Sequence, residues 1–298
     1  MTTLIGFVAV GEPSATIGQT QAASSTANPS FEVASVKPNK GTDMRVAIMM
    51  QPGGRFNATN VPLRALVRFA YQLQDFQMIG LPDWATSERF DVVAKAESEF
   101  TPTPPGTIGP IQLMLRSLLV ERFQLAAHTE TRDMPIYNLV LARNDGKLGE
   151  GLRPSTVDCA AMMRERGRGG RGGPPPLPPL AANERPVCGM RIAPGSMAGG
   201  GFQIAEFGRT LSQFVQRIVI DRTNLTGGYD IDLKWTPDQM PQGAGGAPPP
   251  GAPPLPPIDP NGPSIFTAVQ EQLGLKLDAA KGPVEVVVVD KVERPIPD

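Results

Sequence analysis

The sequence predicts an α+β fold: two tandem copies of a ββ-α-ββ-α-ββ-like unit, with antiparallel sheets that each carry two helices. Three observations predict it. Runs of alternating apolar and polar residues are interspersed with runs of helical spacing. The stretch Met44–Asn60, MRVAIMMQPGGRFNATN, returns without a gap as Met190–Glu206, MRIAPGSMAGGGFQIAE. Phe90–Ala96, FDVVAKA, returns as Tyr229–Trp235, YDIDLKW. Two copies are too few for a solenoid, so they form two lobes or one pseudo-symmetric body.

Phe31–Lys37, FEVASVK, alternates and reads as a strand. Arg45–Met50 and Arg55–Thr59 read as a hairpin around Pro52-Gly53-Gly54. Asn60 is the expected N-cap of a helix carrying Leu63, Leu66, Val67, Ala70 and Tyr71 at helical spacing. Gln77–Ile79 is a short strand, Leu81–Trp84 a turn, and Phe90–Ala96 a strand. Ile111–Glu121 is a second helix, with Leu113 or Met114, Leu118 and Val120 facing inward. Phe123–His128 and Ile136–Ala142 read as two strands joined by the charged turn Glu130–Asp133. The second half repeats this order: a hairpin over Gly189–Ile204 with Gly199-Gly200-Gly201 at its turn, a helix over Thr210–Val215, and strands at Ile218–Ile220 and Tyr229–Trp235. A helix over Pro263–Leu273 follows, then strands at Leu275–Leu277 and Pro283–Asp290.

The expected organisation is a leader or tail at 1–30, a first repeat at 31–143, a Gly/Arg/Pro-rich linker at 144–187 and a second repeat at 188–298. A Pro/Gly-rich insert occupies 242–260. The 298 residues include 33 prolines and 32 glycines, concentrated in three blocks, so they read as loops in a chain whose 40% apolar share can build a core. The apolar run Leu4–Val10 has no Lys or Arg before it, which departs from an ordinary secretory signal. Other runs fall short of the ~18 apolar residues of a membrane span. A net charge of −1 gives no reason to expect nucleic acid or anionic membrane.

Cys159 and Cys188 are the only cysteines and flank the Arg/Gly/Pro-rich insert. A disulfide stapling that loop is the expectation and two free thiols the alternative. His128 is the single histidine, so any His-dependent triad must use it. No cofactor or metal motif is recognised. Asp91 and Asp230 correspond, as do Lys95 and Lys234, forming either a solvent-facing charge row or part of a ligand site. Arg164–Gly173 has the Arg/Gly character of RNA-binding segments but no aromatic residue for stacking, and Pro174–Pro179 reads as a polyproline spacer.

Taken as a set, several motifs resemble the soil-associated family of exported proteins of unknown function. They are FEVASVKPN, GGRFNATNVPLRALVRFAY, LPDWATSERFDVVAKA, LLVERFQL, VIDRTNLTGGYDIDLKW and PVEVVVVDKVERP. The resemblance spans Phe31 to about Pro295 outside the two inserts. It implies a signal peptide and a periplasmic or secreted location, and supplies no catalytic residues. The best-fitting function is a non-catalytic extracytoplasmic binding or sensor module for an unknown ligand or protein. Its candidate ligand-binding residues are Phe56, Trp84, Phe90, Phe202, Tyr229 and Trp235. The alternatives are an envelope hydrolase and a structural or adhesion protein.

Overall fold

The computed structural model describes residues 29–41, 46–100, 103, 107–159, 161–162, 185–237 and 259–295. Met44 and Arg45 of the repeated motif, residues 1–28, the Arg/Gly and polyproline runs and most of the 242–260 insert lie outside these. The fold is α+β, with three four-stranded sheets and five helices among the described residues. The strands are β1 (Val33–Pro38), β2 (Ala47–Gln51), β3 (Arg55–Pro62), β4 (Met78–Ile79), β5 (Arg89–Lys95), β6 (Ala126–Leu141), β7 (Leu152–Pro154), β8 (Gly189–Ala193), β9 (Ser196–Phe202), β10 (Val219–Asp221), β11 (Tyr229–Lys234) and β12 (Leu275–Lys291). The helices are α1 (Leu63–Tyr71), α2 (Trp84–Ser87), α3 (Pro110–Phe123), α4 (Ile204–Val215) and α5 (Ile265–Leu273).

Local chemistry explains the helices. In α1, Leu63, Leu66, Val67 and Ala70 fall on one face and are all buried, and Gln72 closes the helix in the left-handed region at φ 54°. Pro110 occupies the first turn of α3, where its missing N–H costs nothing, and the Gln112 side chain accepts the Gly109 N–H at 3.0 Å. Ser264 caps α5 by accepting the Thr267 N–H, and Gly274 ends it at φ 68°. Asn60 is not the α1 cap. The helix starts after Pro62, and Asn60 sits in a bulge of β3 at φ 55°. In α3, Leu118 and Met114 point inward as expected, but Val120 is 53% exposed and Leu113 37%. The buried face instead runs through Ile111, Leu115, Leu118, Leu119 and Phe123.

The first outer sheet has the order β1-β5-β3-β2 and the second β7-β11-β9-β8; the described pairings in both are antiparallel. Each outer sheet buries one face under helices. Phe56, Val61, Leu66, Phe90, Leu119 and Phe123 centre one core. Met197, Phe207, Leu211, Ile231, Leu233 and Val269 centre the other.

The central sheet, ordered β10-β6-β12-β4, joins them. Here the sequence reading needs correction. Phe123–His128 and Ile136–Ala142 are not two strands around a charged turn. Residues 126–141 form one strand, paired antiparallel with the continuous β12 from Leu275↔Leu141 to Lys291↔Ala126. Glu130–Asp133 stay extended because their backbone groups pair with Pro283–Val286 while their charged side chains reach solvent. The strands expected at Leu275–Leu277 and Pro283–Asp290 merge in the same way. Two short strands flank this ribbon in parallel. β4 adds to β12 through Met78↔Val287, and β10 adds to β6 through Val219↔Tyr137. Val287 and Val289, near the end of the chain, therefore belong to the first core, while Leu139 of β6 belongs to the second.

The expected linker is also corrected at its start. Residues 149–154 are built into the second lobe. Leu152–Pro154 pairs with β11 as an edge strand, Gly149 and Gly151 donate to the carbonyls of Leu273 and Gln272, and Asp232 donates to Gly151. A Cβ at Gly149 would come within 2.2 Å of the Gln272 carbonyl oxygen, so only glycine lets the chain pass this close.

The second hairpin turns at Pro194-Gly195, with Gly195 at φ 72°. Gly199, Gly200 and Gly201 are not at the turn but inside β9. The gap-free alignment of Met44–Asn60 with Met190–Glu206 consequently misplaces the hairpin. Phe56 sits mid-strand opposite Met50 and Ala94, whereas Phe202 sits at a strand end opposite Tyr229, as Val61 does opposite Phe90.

Candidate functional site

β3 and β9 each carry a bulge facing an aspartate of the neighbouring strand. Between Ala58 and Val61 the β3 ladder skips, and the Asn60 N–H donates to Asp91 Oδ1 at 2.8 Å. In β9 the skip falls between Gly199 and Phe202, and Gly201, at φ 65°, donates to Asp230 Oδ1 at 3.2 Å. A bulge leaves an N–H without its ladder partner, and the carboxylate accepts it. Asp91 also accepts two bonds from the Asn39 amide, at 2.9 and 3.0 Å. These geometries give Asp91 and Asp230 a structural task. Lys95 pairs with Glu32 at 3.1 Å on an exposed edge, and Lys234 is exposed at the end of β11.

The outer faces of the two outer sheets differ sharply. On the first, Ser35, Val93, Asn57 and Met49 stand in one cross-strand row. Val93 is 59% exposed although its neighbours Val92 and Ala94 are buried, and Val33 and Met49 share its face. Val46 and Met50 add exposed apolar surface around the edge strand β2, which carries no charged residue. Val33, Val93 and Met49 are three of the eleven exposed large apolar side chains among the described residues, and they share this outer face with the polar Ser35 and Asn57.

On the second sheet the same face is polar and covered. Asp232 stands where the first sheet has Val93, two residues beyond the bulge aspartate. Arg185 reaches across to bind Asp230 at 3.0 Å and Asp232 at 2.9 Å, and Arg153 approaches Asp232 at 3.6 Å. Residues 185–188 lie over β9, and Cys188 is bonded to Cys159. The expected disulfide is present.

The six aromatic candidates fall mostly elsewhere than on a surface. Phe56, Phe90, Phe202, Tyr229 and Trp235 are buried, at 7% exposure or less. They fill the cores because their strand positions alternate with solvent-facing residues, a parity that composition alone does not show. Trp84 alone is half-buried. Its ring lies under the Arg294 guanidinium at 5.1 Å, and Arg294 also forms a forked pair with Glu88 at 2.7 and 2.8 Å. This contact clips the chain's C-terminal segment onto the first lobe. The sequence reading missed the exposed apolar side chains of the first sheet's outer face. Its signal was the apolar Val92-Val93 pair in β5, where strict alternation would place a polar residue at 93.

His128 lies on the ribbon, half exposed, with Nδ1 2.9 Å from Asp290 Oδ2. The hydrogen bond and the charge of Asp290 raise its pKa above the ordinary imidazole value. The acid partner of a triad is thus in place, but among the described residues no hydroxyl or thiol hydrogen-bonds to the ring. A raised folded-state pKa means this contact favours the fold fully below the unfolded imidazole pKa, near 6.5. The contribution is lost as pH rises through the folded value. Asp290→Asn is expected to return the His128 pKa toward its ordinary value in an NMR titration; an unchanged midpoint would refute the assigned cause.

Among the described residues no group of three or more His, Cys, Asp or Glu is placed to hold a metal ion, and no helix is long and apolar enough to cross a membrane. No curated protein and no solved structure matches the chain. A family model does match, over residues 64–292, which takes in everything from α1 to the end of the ribbon. By that match the chain belongs to the family described as Protein of unknown function (DUF3738).

Proposed function

We propose that this protein is an exported, non-catalytic binding or sensor module. Its recognition surface is the outer face of the β1-β5-β3-β2 sheet, and its partner is an extended, uncharged segment of another protein that adds alongside β2. The observation that carries this reading is the contrast between the two outer faces. One presents the exposed apolar side chains of Val33, Val93 and Met49 on one face beside an uncharged edge strand; the other is polar and overlaid by its own chain. Unprotected edges pair readily with added strands, and natural proteins usually guard them with charge or proline. The Cys159–Cys188 bond supports an oxidising compartment, as does the resemblance to exported soil-associated proteins.

We also infer that the two halves are copies of one unit. The shared strand order of the outer sheets supports this, as do the matched bulges at Asn60 and Gly201, 141 residues apart like the starts of α1 and α4 at Leu63 and Ile204.

The binding reading is tested with a photo-crosslinking side chain placed at position 93, and at position 198 of the covered face as control. Expression is in the cells that naturally make the protein. A discrete crosslinked partner from 93 but not from 198, lost on Met49→Lys, is the expected result. Equal crosslinking at both positions, or none at 93, refutes it.

A further inference from the structure

We infer that residues 185–188 are a redox-operated cover: the Cys159–Cys188 disulfide clamps this segment on the outer face of the second sheet, and reduction lifts it to uncover Asp230 while the rest of the fold stays closed.

Three observations converge on this. First, β9 is built to receive the segment. A Cβ at Gly200 would lie 2.4 Å from the Val187 carbonyl oxygen and 2.6 Å from that of Pro186, and one at Gly201 would lie 2.2 Å from Cys159 Sγ. Any larger residue at these two positions would push the cover or its disulfide away. Second, among the described residues the cover holds the sheet chiefly through the disulfide and one side chain. Arg185 supplies the two ion pairs to Asp230 and Asp232, with its side chain 29% exposed, whereas Val187 is 57% exposed and adds little apolar burial. Partly exposed ion pairs hold weakly once the tether is gone. Third, the bond is reachable. Both cysteines are only half-buried, so a thiol from solvent can approach, whereas the two cores are anchored independently of this bond.

The opening step is thiol–disulfide exchange with a dithiol. One thiolate of the dithiol attacks a protein sulfur, and the S–S bond breaks as the other cysteine leaves and takes up a proton. The second thiol then resolves the mixed disulfide. Two electrons and two protons pass to Cys159 and Cys188, and the dithiol departs as its own disulfide. With the tether gone, Arg185 exchanges between the aspartates and water, and Gly200 loses the overlying Pro186–Val187 backbone.

The test is hydrogen exchange on the full chain, oxidised and after dithiothreitol followed by alkylation, with circular dichroism to follow the fold. The expected result is at least a ten-fold rise in exchange over 196–202 and 229–232 on reduction, with α1, α3 and the β6–β12 ribbon unchanged. Arg185→Ala in the oxidised protein is expected to give a smaller rise over the same segments. Unchanged exchange on reduction overturns the proposal, because the cover then stays without its bond. So does simultaneous loss of protection everywhere, which would make the disulfide a staple of the whole fold. An Arg185→Ala rise equal to that of reduction overturns it too, because the arginine would then be the clamp. The Cys159→Ser/Cys188→Ser double variant must behave as the reduced protein does.

Discussion

Residues 1–143 expressed alone are expected to show no cooperative urea transition, and adding residues 144–298 is expected to restore one. The division looks natural in the sequence, since it leaves one complete-looking set of strands and helices on each side. The central sheet makes it untenable. Cut at 143, β6 loses its antiparallel partner over its whole length, and β4 loses β12, the strand it pairs with among the described residues. The Gln77 side chain loses the Glu285 carbonyl it donates to at 2.7 Å. The first core loses Val287 and Val289, each worth roughly 1.5–3 kcal/mol when buried. Exposed apolar and unpaired backbone surface adds to that, so the loss approaches the ~5–15 kcal/mol that holds a typical domain together. Circular dichroism of the fragments, separate and mixed, decides the matter. A sigmoidal transition from the first fragment alone would show that the ribbon is dispensable.

The second large effect is expected at Phe123. Its ring is fully buried and meets Phe90 edge to face at 5.2 Å. Its carbonyl also accepts the Glu293 N–H at 2.8 Å, where the chain's end returns to the first lobe. Phe123→Ala removes the ring and leaves a cavity in a core fixed by helix, sheet and ribbon together, so little can collapse into it. A loss of about 3–5 kcal/mol follows, read as a lower urea midpoint at unchanged slope. Phe266→Ala serves as the control. That ring is 41% exposed and touches mainly Tyr137, so its removal should cost less than about 1 kcal/mol. Equal losses at the two positions would contradict the assigned core.

These two sites mark what could and could not be read from the chain. The α1 and α3 helices were legible because their apolar residues recur at helical spacing over several turns. β5 and β11 were legible because they alternate. The ribbon was not, because Glu130–Asp133 carries the charged composition of a turn and its partner Pro283–Val286 lies far away in sequence. Only pairing at long range keeps such a segment extended. The second hairpin was misplaced because three consecutive glycines look like a turn. The actual task of Gly200 and Gly201, making room for Pro186, Val187 and Cys159, concerns residues outside the hairpin. The aromatic candidates were chosen for chemistry that suits a groove, yet strand parity turned five of six inward. The exposed apolar side chains of the first sheet are not legible because Val33, Met49 and Val93 come from three separate segments and come onto one face only through register.

The ribbon also sets the order in which the chain can be finished. Val287 and Val289 join the first core from β12, far along the chain from α1 and α3. While the polypeptide is being synthesised, its first lobe must wait, incomplete, until β12 has been made. Contacts so distant in sequence slow folding, because the intervening loop must close before they are rewarded. A nascent chain of this design stays unlocked while everything between α1 and α5 is made, a state in which it can be threaded through a pore or caught by a chaperone, and its first core closes only when β12 arrives.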